Sequence, residues 1–154
     1  MAYRADQPRK RRPPPLSVTA LHVWYDVTNR DGEVLEDGPA IDAFLDRLVA
    51  DEGATMASLV RSEDTTVWPP TLDLLVGLGG DLDVGVMQCG DHDGVWCSSA
   101  PQDSGWDIVA YDYMGTGHDF PTNAVIPLAQ IRAAVHEYVT TGKRPETVVW
   151  QKLR

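Results

Sequence analysis

The densest group of chemistry-bearing side chains in this sequence is Cys89, Asp91, His92, Asp93 and Cys97. Thiolate, imidazole and carboxylate all suit zinc, so a small metal-dependent enzyme could be imagined on Cys89, His92 and Cys97. The spacing matches no standard zinc pattern, and three soft ligands stand where a structural site takes four. The expectation is a hairpin tip with incidental ligands, no bound metal and no cofactor. Asp93-Gly94 is a strong two-residue turn signal. A turn centred there sets Cys97 opposite Gly90 rather than Cys89, which disfavours a cross-strand disulfide.

Two other stretches invite a catalytic reading. Gly115-Thr116-Gly117-His118-Asp119 sets a histidine beside an aspartate, the parts of a general base and its orienting partner. Adjacent side chains seldom face each other, however, and no serine or cysteine stands at a strand-to-helix elbow. Leu78-Gly79-Gly80-Asp81 lacks the lysine and hydroxyl residue of a phosphate loop and leads into a strand rather than a helix. Gly77 to Gly80 reads instead as a tight turn or bulge. The chain is expected not to be an enzyme.

The elements that must position these residues follow from periodicity. Leu21, Val23, Tyr25 and Val27 alternate through a strand spanning 17–27, and Asn29 to Gly32 supplies a turn. Ile41, Phe44, Leu45, Leu48 and Val49 fall at helical spacing, with Asp37 or Gly38 as cap and Pro39 in the first turn. Short β-prone segments follow at 55–61, 72–78, 82–89, 94–99 and 106–113. Leu128, Ile131, Ala134, Val135, Tyr138 and Val139 then mark a second helix, ended by Gly142 and barred from continuing by Pro145. A last strand at 147–153 carries Trp150. The fold class is α+β, an antiparallel β-sheet meander with two amphipathic helices packed on one face.

Charge divides the chain. Residues 1–16 carry five of its 13 basic residues and one of its 23 acidic ones, so residues 17–154 hold 8 basic against 22 acidic. The basic, proline-rich segment 1–16 is expected to be disordered, and residues 17–154 to form one domain. That body repels nucleic acid and attracts basic protein surfaces. No apolar run is long enough to span a bilayer, and Pro13-Pro14-Pro15 interrupts what would otherwise imitate a signal peptide. With only two cysteines, a cytoplasmic protein without membrane contact is expected.

Five tryptophans and five tyrosines favour an interaction surface, because these residues dominate interface energies. The candidate partner-binding set is Asp81, Asp83, Asp91, His92, Asp93, Trp96, Trp106, Asp107 and Tyr113, aromatic anchors among carboxylates.

The C-terminal third carries a resemblance. Phe120-Pro121, Ala124, Ile126-Pro127, Ala133-Ala134-Val135, Tyr138, Gly142-Lys143-Arg144-Pro145 and Val149-Trp150 resemble the first-numbered immunity-protein family of bacterial polymorphic toxin systems. Its members share a helix ending in Gly-x-Arg-Pro and a strand with a late tryptophan. The likeness covers about residues 115–152. It implies a mostly β or α+β fold, no catalysis, and a gene beside a toxin that is often a nucleic-acid deaminase. The partner so implied is a cognate protein toxin with a basic surface. Gly142, Arg144, Pro145 and Trp150 each have a structural explanation and are assigned to the fold rather than to the partner site. The competing reading is a stand-alone regulatory or interaction protein of the same fold.

Overall fold

The computed structural model describes residues 20–65, 70, 72–101 and 107–153. The basic segment 1–16 and Trp106 lie outside the described residues. In chain order the elements are β1 (Leu21–Trp24), β2 (Glu33–Leu35), α1 (Gly38–Ala50), β3 (Ala54–Arg61), β4 (Asp73–Gly79) and β5 (Val84–Asp91). There follow β6 (Gly94–Ser98), β7 (Ile108–Tyr113), β8 (Thr116–Pro121), β9 (Ile126–Pro127), α2 (Leu128–Thr141) and β10 (Trp150–Lys152). Seven strands form a path in the order β10-β6-β5-β4-β3-β1-β2, antiparallel at every step. The class is α+β, as expected from the sequence.

Asp37 starts α1: its carboxylate accepts the Ala40 N–H at 2.9 Å, and Pro39 occupies the first turn. Ile41, Phe44, Leu45 and Leu48 then face the sheet. Ile131, Ala134, Val135 and Tyr138 of α2 join them over Leu21, Val23, Leu59, Leu74, Val76, Leu78 and Met87. Both helices therefore lie on one face. Arg132 of α2 ties them together, reaching Asp42 at 2.9 Å and Asp46 at 2.8 Å, with His136 also on Asp42. The His136 and Arg132 hydrogen bonds hold the Asp42 carboxyl below its ordinary value.

The other face is covered as well. The β7–β8 hairpin leaves the path, touches β3 through the single parallel bridge Thr55↔Asp112, and lies over Met56, Leu75, Val86 and Cys97. Phe120, Tyr111, Tyr113 and Val109 supply its apolar side. Gly77 makes this contact possible: a Cβ there would stand 2.8 Å from the Tyr111 ring and 2.9 Å from Val86.

Several local expectations are corrected. β1 ends at Trp24 rather than running to residue 27, because Asp26 accepts both the N–H and the hydroxyl of Thr28 and bends the chain; Val27 is left 65% exposed. The last strand is confined to Trp150–Lys152. Residues 116–121 form β8, a strand outside the β-prone segments expected from the sequence, and the short strands β2 and β9 carry too few residues to show alternation. The β5–β6 turn is centred on His92-Asp93, since Asp91 accepts the Asp93 N–H at 2.9 Å. Cys97 consequently faces Gln88, and Cys89 faces Trp96.

Ser98 closes the joint between β5, β6 and the segment before β9. Its buried hydroxyl accepts the Met87 N–H at 3.0 Å and donates to the Ala124 carbonyl at 2.6 Å. Ser98→Ala leaves both backbone groups buried and unpaired, so urea unfolding should show a loss of about 1–3 kcal/mol. A loss below about 0.5 kcal/mol would show that neither bond matters.

Asp73 gives a second expectation. Burial raises its carboxyl above the ordinary value of 3.8, and only the Ser58 hydroxyl, at 3.4 Å, works against this. The charged form is thus disfavoured in the folded state. The penalty is absent below the unfolded pKa and grows as pH rises through the folded one. Asp73→Asn should raise the melting temperature at pH 7 and leave it nearly unchanged near pH 3, as read by thermal melts at both pH values.

Candidate functional site

The nominated residues fall at two ends of the sheet. β5 has eight residues, so its termini stand roughly 25 Å apart. Asp81 and Asp83 precede β5 at one end, while Asp91, His92 and Asp93 form the turn at the other. Asp107 is exposed just before β7, and Tyr113 ends that strand half-buried against the second face. The Tyr113 phenol is raised by burial and lies near Ser58 and Asp73.

Trp96 braces the fold from within. The Arg144 guanidinium lies over its ring at 4.3 Å and the Lys152 ammonium at 5.4 Å. Arg144 also stands 3.8 Å from the Asp91 carboxylate. The turn after α2 is thereby held against the β5–β6 hairpin. Gly142 adopts φ 69° and ψ 11°, and its N–H donates to the Tyr138 carbonyl at 2.7 Å. The buried Pro145 offers its carbonyl to the Trp150 indole N–H at 2.8 Å. Glu137, which periodicity did not single out, accepts the N–H groups of Glu146 and Thr147 at 2.7 and 3.0 Å, and the Thr147 hydroxyl too. Partial burial alone would raise its carboxyl, but these bonds together bring it below the ordinary value.

Cys89, His92 and Cys97 do not converge. Cys89 faces the helices, Cys97 faces the β7–β8 hairpin, and His92 is exposed at the turn. Burial pushes the two thiols up to about 12 and about 11 respectively. Among the described residues no group of three or more His, Cys, Asp and Glu side chains could hold a metal ion. His118 sits opposite Tyr111 with its ring edge-on to Tyr113 at 6.0 Å, and strand alternation turns its neighbour Asp119 to the other side.

Among the described residues, two open clefts lie where α1 ends near the segment after β1 and the β7–β8 tip. Tyr25 packs edge-on to Phe44 at 5.4 Å between centroids. Arg47 covers the same ring at 5.5 Å, and its Nη2 donates to both carboxylate oxygens of Glu33 at 3.0 and 2.9 Å. An open cleft of about 320 Å³ is lined by Tyr25, Phe44, Arg47, Leu48, Ala50 and Asp51. A second, of about 330 Å³, shares Tyr25 and Asp51 and extends over Asp26, Val27, Asp112 and Met114. The N–H groups of Gly80 and Asp81 donate to the carbonyls of Asp51 and Val49 at 2.7 and 2.8 Å, which fixes Asp81 beside the end of α1. The backbone and then the hydroxyl of Thr28 hold the Asp26 carboxyl below its ordinary value. Among the described residues no ion pair forms to Asp26, Asp51, Asp81 or Asp112.

The two clefts bring Tyr25, Phe44, Leu48, Val27 and Met114 beside the carboxylates of Asp26, Asp51 and Asp112. Residues 30–152 match the model of the family described as Immunity protein Imm1. The chain belongs to that immunity-protein family. A hypothetical protein from Neisseria gonorrhoeae is similar in structure at TM-score 0.47 and 11% identity, covering 91% of this chain and 99% of that one. No protein of curated function matches.

The burial of both thiols sets an expectation. A thiol-reactive dye at pH 8 should label neither Cys89 nor Cys97 in the native protein and both after denaturation. Fast labelling of either in the native state would place it at the surface.

Proposed function

We propose that this protein binds and neutralises a cognate bacterial toxin, as a stoichiometric inhibitor with no chemistry of its own. The family match over residues 30–152 carries the reading. An inhibitor of this kind needs a stable frame and a complementary surface, and the frame is supplied by a sheet covered on both faces.

The toxin is proposed to act on nucleic acid, as the deaminases associated with the family do, and to present a basic surface. The charge supports this: an enzyme that holds a polyanion has a cationic cleft, and residues 17–154 carry 22 acidic residues against 8 basic ones. An acidic body competes for that cleft without binding nucleic acid itself. No helix among the described residues is long and apolar enough to cross a membrane, and action in the cytoplasm of the producing cell is proposed.

Purified protein mixed with the C-terminal toxin domain encoded by the adjacent gene should form a 1:1 complex, burying about 1,200–2,000 Å². The toxin's activity on nucleic acid should disappear at equimolar protein. Full toxin activity in the presence of excess protein would refute the proposal.

A further inference from the structure

We infer that the toxin docks on the trough at the end of α1, seating an apolar side chain flanked by lysine or arginine between Tyr25, Val27 and Met114. The inference rests on the immunity reading and adds the surface and the chemistry of the contact. The two clefts share Tyr25 and Asp51 as lining residues, so they lie side by side and present a combined surface to a partner. Tyr25, Val27 and Met114 supply the apolar part of the second cleft's lining, and Val27 stands 65% exposed. The carboxylates of Asp26, Asp51 and Asp112 line the second cleft, and among the described residues none has a cationic partner. The one cation lining the first cleft, Arg47, is neutralised by Glu33. Each of these carboxylates accepts a backbone N–H of its own turn but meets no cation among the described residues. Apolar side chains beside them therefore fit a basic protein loop: lysine and arginine supply the missing charges while its apolar side chain packs on Tyr25, Val27 and Met114.

Met114 separates a docking role from a structural one. Tyr113 pairs with Thr116, and the two residues between them have positive φ, 55° at Met114 and 87° at Gly115. This is the two-residue turn in which asparagine precedes glycine most favourably, because a larger side chain at positive φ is strained. Methionine is therefore a poor choice for the turn. It is a good choice for the trough, which its flexible thioether lines and where it can adapt to a partner's side chain.

Met114→Asn and Val27→Arg test the inference, with Val149→Arg as control. Val149 is as exposed as Val27, at 65%, but lies beside β10 at the opposite edge of the sheet. Binding to the adjacent gene's toxin domain would be measured by surface plasmon resonance, with melting temperatures and sedimentation of each variant alone. Met114→Asn should melt at or above the wild-type temperature yet release the toxin at least tenfold faster. Val27→Arg should weaken binding at least tenfold while Val149→Arg stays within twofold. If both trough variants bind within twofold of wild type, the toxin docks elsewhere and the inference falls while the immunity reading stands. If they change self-association of the chain alone and leave toxin binding intact, the trough belongs to a second copy and the inference again falls. A wild-type protein that does not bind the toxin at all overturns the immunity reading itself.

Discussion

The structure depends on β4 being apolar on both sides. Leu74, Val76 and Leu78 point one way and Leu75 the other, with Gly77 between, and every residue from Leu74 to Gly79 is buried. A half-buried strand of an antiparallel sheet alternates; a continuous apolar run requires cover on both faces. Two helices provide one cover. The other comes from the β7–β8 hairpin, which folds back across β3 and sets Tyr111 on Gly77. The chain's last third and its middle hairpin are thus consequences of one strand's composition.

The connection from α2 to β10 shows how a short motif is used as a joint. Gly142 supplies the left-handed residue that ends the helix, and Pro145 keeps the chain from resuming it. Glu137 gathers the next two backbone donors, and Trp150 returns its indole N–H to Pro145. Arg144 lies over Trp96 and near Asp91, so the joint is also fastened to the β5–β6 hairpin. The motif acts on the geometry of the sheet's edge, at the opposite end of β5 from the trough.

Legibility in the sequence followed pattern length. Both helices, the α1 cap and the central strands β3 to β6 could be read, because each carries a periodic or continuous apolar pattern bounded by turn residues. β2 and β9, of three and two residues, offer no period at all. β8 was concealed by Gly117 and Asp119, residue types depleted in strands that are held extended here by pairing with β7. The hairpin register slipped because Asp91, one residue before the turn, captured the Asp93 N–H. The double cover of the sheet is written in the run from Leu74 to Leu78, which does not alternate. The trough was less legible. Tyr25 and Val27 read as inward strand positions, and only the bend made by Asp26 and Thr28 turns Val27 out to solvent.

The division between the joint and the trough has a physical basis. Residues of the joint are fixed by backbone needs: a positive φ, a missing N–H, a buried indole seeking a carbonyl. Substitution there costs stability whatever the partner is. At the trough the backbone is carried by the end of α1 and by tight turns, whose demands are local: a carboxylate that accepts a nearby N–H, and a positive φ at Met114 and Gly115. Two main-chain bonds, from Gly80 and Asp81 to the carbonyls of Asp51 and Val49, hold the β4–β5 turn to the helix without using any side chain. Asp26, Asp51 and Asp112, which accept those nearby N–H groups, therefore keep only part of their accepting capacity for solvent or a partner, and the charge at that end is bound up with the turns that carry it.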